Sequence, residues 1–409
     1  MLSGFYRVVC VVLLFFLSSC SARVEERGPE YRVRVDAGAY DRENTPVSFA
    51  WPQGLRPGAA QLIDSRKSRI PVQMDGEGRG WFVVPDLPAG KSATYRLVPA
   101  DSADVAGGVD VSNYGGTLAF RVDDRPVFQY HAVKTMLPRP DIDSRFERGG
   151  YIHPVFTPSG KLVTDDYPPN HVHHHGIWAA WTSTRFQGRT PDFWNMGDLT
   201  GTVIPAGLDT AWGGPVHGGL RTRHQYVDLS ADHPTPVLQE TWEVQVFNAR
   251  EGVDPYWIFD LNVVHTTATD SALILPEYRY GGVGFRGNRN WDGAENTFFL
   301  TSEGKDRSNG HATRGRWVHV GGYVDGQLAG VAILDHPENF RAPQPMRIHP
   351  TEPFFNYAPS QAGDWAIRPG EPYVARYRFI VSDGPPDSTE INRLWNDYAH
   401  PPAVTVTAR

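Results

Sequence analysis

Cysteine is almost absent: the 409-residue chain holds two, Cys10 and Cys20, both within its first twenty residues. The body beyond them has no thiol for a disulfide, a cysteine zinc site or a cysteine nucleophile. Basic runs are missing as well. No stretch of five Lys/Arg occurs, and 39 Lys+Arg against 46 Asp+Glu leave a formal charge of -7. The electrostatic footprint that nucleic acid requires is lacking, so nucleic acid is excluded as the expected partner. Beyond the first twenty residues no apolar run is long enough to cross a bilayer as a helix. What the chain has instead is 41 Gly, 34 Pro and many rings (12 Trp, 17 Tyr, 20 Phe), a composition of turns and packed aromatics.

The first segment reads as an address. Val8 to Leu17 is a ten-residue apolar run after Arg7, too short for a spanning helix and right for a signal-peptide core. Leu17-Ser18-Ser19-Cys20 resembles the bacterial lipobox, which implies cleavage before Cys20 and diacylation of that cysteine; several acyl chains anchor far better than one. Ser21 resembles the pattern sorted to an outer membrane. The expectation is a lipoprotein signal peptide over 1–19, an anchor over 20–30, and an exported cell-envelope protein that meets the membrane only through its lipid.

From residue 31 to 99 short alternating runs such as Tyr31-Arg-Val-Arg-Val and Trp81-Phe-Val-Val predict a small β-sandwich module. Ala100 to Gly108 is small and polar, a linker. Over 109–385 β-rich runs recur between Gly, Pro, Asn and Asp clusters with no long 3.6-residue period, which predicts a large antiparallel β-sandwich. One helix is expected over 386–400, with Ser388 as cap and Ile391, Leu394, Trp395 and Tyr398 on one face. The fold class is therefore all-β, supersandwich-like, closed by a C-terminal helix.

Four histidines fall within five positions, His171-Val172-His173-His174-His175. Pro168 and Pro169 bar a helix there, so the segment is a loop entering a strand near Gly176. Extended, it would put His171, His173 and His175 on one face and His174 on the other. Imidazoles so spaced suit proton transfer or hydrogen bonding to sugar oxygens, and His-x-His also suits a metal ion, given a third ligand. In a second motif, Glu277-Tyr278-Arg279-Tyr280-Gly281-Gly282-Val283-Gly284-Phe285-Arg286, an extended strand would pair Glu277 with Arg279 on one face: a carboxylate base beside a guanidinium. The glycines are not a phosphate loop, since no helix start or Lys-Ser/Thr follows. His336, in Asp335-His-Pro-Glu-Asn, ends an apolar run, and Trp178, Asp192 and Trp194 offer rings and a hydrogen-bonding carboxylate of the kind a sugar needs.

These segments together resemble the uncharacterised bacterial family labelled "methane oxygenase PmoA" over nearly all of Tyr31 to Tyr398. The resemblance implies an exported or soluble β-sandwich protein, not methane oxidation. It also implies that His171, His173 and His174 occupy the family's histidine positions, with Val172 in place of its proline and His175 where a basic residue is common. The architecture is similar to the large sandwich of aldose mutarotases, by analogy of fold.

Three functions follow as expectations. In the first the chain acts on carbohydrate by hydrolysis, elimination or epimerisation, with His173, His174 and Glu277 catalytic and His171, Arg279, Arg286, Trp178, Asp192, Trp194 and His336 binding substrate, and with no cofactor required. In the second, a metal-dependent oxygenase or hydrolase uses a divalent ion on His171, His173 and His336. The third is a noncatalytic glycan-binding lipoprotein.

Overall fold

The structure is a computed structural model and describes residues 30–56, 58–100, 107–249 and 255–408. The signal segment with Cys20, and residues 101–106 of the expected linker, lie outside them. Among the described residues no helix is long and apolar enough to cross a membrane.

Among the described residues strands dominate, as expected, in antiparallel sheets with a single α-helix near the C-terminus. The first sheet has seven strands, in the order Arg42–Ala50, Arg79–Leu87, Arg69–Met74, Ala60–Ile63, Ser92–Pro99, Tyr31–Asp36 and Ala403–Ala408. Period-two alternation builds it: Tyr31, Val33 and Val35 are buried while Arg32 and Arg34 face water, and the valines join Val47, Leu62, Phe82 and Leu97 in a small core. Its last strand comes from the far end of the chain. Tyr31 pairs with Ala408 and Asp36 with Ala403, so the first and last described strands are neighbours.

Two eight-stranded sheets form the body. One runs Met346–Ile348, Phe354–Tyr357, Gly282–Arg286, Ile177–Ala180, Tyr151–Val155, Arg125–His131, Thr117–Val122 and Val109–Tyr114. The other runs Gly201–Trp212, His217–Asp228, Thr235–Phe247, Tyr256–Thr267, Tyr373–Asp383, Gln327–Asp335, Trp317–Val324 and Thr297–Thr301. Aromatic rings bridge them: Phe128 meets Phe259 at 5.0 Å, and Tyr357 stacks on Tyr377 at 5.5 Å while its hydroxyl donates to the Ile333 carbonyl.

The helix, Ser388–Ala399, buries Ile391, Leu394 and Trp395, but its cap is Asp387, whose carboxylate accepts from the Thr389 and Glu390 amides. An Asp at this position also meets the positive end of the helix dipole with a full negative charge, which the Ser388 hydroxyl would not supply. The helix ties the layers together. Asp397 takes Arg42 of the first sheet at 2.9 Å, and Trp395 donates to the Asp335 carbonyl of the third.

Candidate functional site

The register of four neighbouring strands decides which side chains leave the core. Trp178 lies opposite Gly284, Gly284 opposite Asn356, and Asn356 opposite Arg347. Because Phe355 and Tyr357 point into the interior between the large sheets, this row and its alternates Arg286 and Phe354 occupy the outer face. Gly284 is required there. A Cβ on it would stand 2.7 Å from Trp194 and 3.3 Å from Trp178, so glycine lets both indoles lie on the strand.

The histidine loop seats itself on those indoles. It is not extended: the His171 amide donates to Pro168, the His174 amide to His171, and the Tyr167 amide to the His174 carbonyl, so two successive turns reverse the chain after the proline pair. The turns gather His171, His173 and His174 and send His175 away. His171 and His174 stack at 4.7 Å and 11°, His173 meets His174 edge-on at 4.7 Å, and Phe354 carries His174 at 4.9 Å. His349, from a loop that the sequence reading did not single out, adds a fourth imidazole 5.9 Å from His171. His175 is fully buried, stacked on Tyr151 at 4.4 Å with Nδ1 2.6 Å from Asp166.

Carboxylates come from two further distant segments. The buried guanidinium of Arg286 holds Asp292 at 2.5 Å on Nη2 and Glu352 at 3.0 Å on Nη1, while Asn170, beside the histidine loop, donates to Glu352 at 2.7 Å. Burial and the neighbouring Glu352 charge outweigh Arg286 and raise the Asp292 carboxyl to about 6; Glu352, despite its own burial, is held below the usual range by Arg286. The pair thus takes up a proton at about pH 6. The imidazoles are neutral: burial lowers His173 to about 3 and His349 to about 4, and lowers His171 and His174 as well. His171, His173 and His349 are half-buried and reach solvent, whereas His174 lies beneath them with Nδ1 buried and unpartnered.

Several expected residues sit elsewhere or serve otherwise. Trp178 and Trp194 are buried and floor the site without presenting a face to solvent, because the strand glycines let the indoles sink onto the sheet. Asp192 organises the turn that presents Trp194: its carboxylate accepts from the Trp194 and Asn195 amides and from the Thr182 hydroxyl, which leaves it occupied. His336 is not part of the cluster; it follows the strand Gln327–Asp335 and packs on Tyr398 of the C-terminal helix at 4.9 Å. The ligand set His171, His173 and His336 is therefore not assembled, and among the described residues no group of three or more His, Cys, Asp or Glu is arranged to hold a metal ion. Glu277 and Arg279 lie in an irregular segment before Gly282, not on a strand; both are exposed and line an adjoining cleft.

A second polar cluster, also unforeseen, is internal. His224, Glu240 and His265 are cross-strand neighbours in one sheet; His224 Nδ1 lies 2.5 Å and His265 Nε2 2.6 Å from the Glu240 carboxylate, and Tyr226 donates to it. Burial alone would raise Glu240, but the bonds from both imidazoles hold it well below the carboxylate range. All four side chains are buried, and the cluster fastens the sheet's core.

Fold and site define a two-layer antiparallel β-sandwich protein that carries a histidine and carboxyl site on the outer face of one sheet. The chain belongs to the family of unknown function DUF6807, which it matches over residues 117–396. That membership, and not the label methane oxygenase PmoA, is what the match shows. No curated protein matches. Among solved structures the chain is similar to a glycosyl hydrolase family 38 protein from Enterococcus faecalis (10% identity, TM-score 0.43, 93% of this chain and 48% of that one). It is also similar to an alpha-mannosidase from Enterococcus faecalis V583 (11% identity, TM-score 0.41, 93% of this chain and 46% of that one). The chain spans about half the length of each of them.

Proposed function

We propose that the chain is an exported lipoprotein of the cell envelope, anchored through Cys20, that binds carbohydrate at the outer-face site and carries out acid/base chemistry at a sugar ring. Hydrolysis, elimination or epimerisation are the reactions this chemistry serves. One observation carries the reading: neutral, half-buried imidazoles of His171, His173 and His349 adjoin a carboxyl pair in which Asp292 holds its proton up to about pH 6. Unprotonated imidazoles and a protonatable carboxyl on neighbouring segments are the two kinds of group that general acid/base catalysis needs. The surrounding groups suit hydroxyls, since neutral imidazole, the Asn170 and Asn195 amides and the Tyr280 hydroxyl each donate and accept.

In this reading His173 is the proton acceptor and Asp292 with Glu352 the donor. His174 positions His171 and His173 by stacking. Arg286 fixes the acids, and Glu277 contributes from the neighbouring cleft to binding instead of to proton transfer. The test is turnover of a mixed oligosaccharide panel by the mature chain against His173→Ala and Asp292→Asn, with loss of at least about a hundredfold expected in each. Binding without turnover would favour the glycan-binding alternative. A stoichiometric ion in untagged protein, lost in a His171→Ala/His173→Ala variant, would favour the metal alternative.

A further inference from the structure

Beside the histidine cluster lies a cleft of about 630 Å³ bounded in part by Glu277, Arg279, His311 and Arg314. Its cations, like Arg307 and Arg341 nearby, hold no carboxylate among the described residues. Arg286, Arg289, Arg376 and Arg378 each hold a carboxylate, but among the described residues Arg279, Arg314 and the adjoining Arg347 hold none. Arg279 lies over the rings of Tyr278 and Tyr280, at 5.9 and 5.5 Å, and Arg314 spends Nη1 on the carbonyls of Arg341 and Pro343. Arg347 reaches His311 at 3.5 Å and keeps Nε buried without a partner. Burial and the nearby Arg279 charge both lower the Arg347 guanidinium. Three guanidinium groups against the carboxylates of Glu277 and of Asp364, which accepts from the Glu277 amide, in a chain of net charge -7, form a local excess of positive charge that an incoming oxyanion would relieve.

The cleft is continuous with the site. Arg347 is two residues from His349 and stands in the same cross-strand row as Trp178 and Gly284. Tyr280 touches Trp194 at 5.4 Å and lies 3.3 Å from the Asn195 amide.

We propose that this cleft is an oxyanion subsite and that the ligand of the histidine cluster is an acidic carbohydrate, its carboxylate or sulfate held by Arg279 and Arg347 while its ring reaches His173. Guanidinium forks match either oxyanion bidentately. The inference rests on the carbohydrate reading of the cluster.

The experiment is binding of the full mature chain to an array of neutral, uronate-containing and sulfated oligosaccharides, with inorganic sulfate titrated in parallel. Acidic members should bind at least roughly tenfold tighter than neutral counterparts of the same linkage. Arg279→Gln, at an exposed position, and Arg279→Gln/Arg347→Gln should erase that preference; if the double variant fails to fold, the single one still reads the effect. The array arms separate carboxylate from sulfate. Equal retention of neutral and acidic members, or a preference unchanged in Arg279→Gln, would overturn the subsite and leave the carbohydrate reading standing. Sulfate binding lost in Arg279→Gln with no oligosaccharide retained would keep the oxyanion site and overturn the carbohydrate reading. Retention of nothing would overturn both.

Discussion

Asp292 and Glu352 grip opposite amino groups of one buried guanidinium, that of Arg286, at 2.5 and 3.0 Å. Sixty residues apart in sequence, they meet because Arg286 ends the strand Gly282–Arg286 opposite Phe354, and the segments that follow Arg286 and precede Phe354 close over it. One cation serves two half-buried acids, so the Asp292 carboxyl holds its proton up to about pH 6, and below that pH the site has a donor beside unprotonated imidazoles.

A carboxyl group should therefore titrate near pH 6. Infrared difference spectra or carbon NMR of labelled Asp and Glu should show it, and Asp292→Asn should remove it. Turnover that depends on the protonated acid falls as pH rises through about 6, and the same limb disappears in that variant.

His173 and His174 should separate on substitution. His174 is buried between Phe354, His171 and Trp178, so His174→Ala leaves a cavity and costs about 2–4 kcal/mol, read as an earlier denaturant midpoint. His173 is half-buried, and His173→Ala should hold its midpoint within about 1 kcal/mol of the parent while losing turnover.

Acid should destabilise the fold. Burial lowers His153, His217, His319 and His349 to about 4 and His173 to about 3, against 6.5 when unfolded. Between those values the unfolded chain binds protons that the folded chain refuses, so stability that is full above 6.5 is lost as pH falls through this window. Asp166 and Asp292, raised to about 6, and Asp335, raised to about 7, act in the opposite direction and offset part of it. The histidines outnumber them, and the melting temperature should drop by several degrees from pH 7 to pH 4.5 in a calorimetric scan.

Glu240→Gln should be the most costly conservative change in the interior. It removes the charge that His224 and His265 share and puts amide hydrogens against an imidazole donor; the expected loss is about 3–5 kcal/mol by chemical denaturation.

The sequence made local order legible and distant meetings illegible. Alternation in Tyr31–Asp36 marks a strand, and the proline pair before His171 marks a loop, because each depends on a few adjacent residues. The histidine cluster was visible because four imidazoles crowd five positions. His349, Asp292 and Glu352 were not, since they reach the site through sheet register across more than a hundred residues. The burial of Trp178 and Trp194 was hidden for a different reason: an indole suits a core or a sugar face equally, and only Gly284 opposite decides. Likewise Ala403–Ala408 becomes a strand through Tyr31–Asp36, a partner at the other end of the chain.

The most direct test of the central claim is product analysis by mass spectrometry after untagged mature protein, in parallel with His173→Ala, is incubated with the oligosaccharide panel. The account predicts a product whose mass or retention time marks hydrolysis, elimination or epimerisation, formed by the parent and lost in the variant. Product formation unchanged in His173→Ala, or no sugar consumed by either protein, would contradict it.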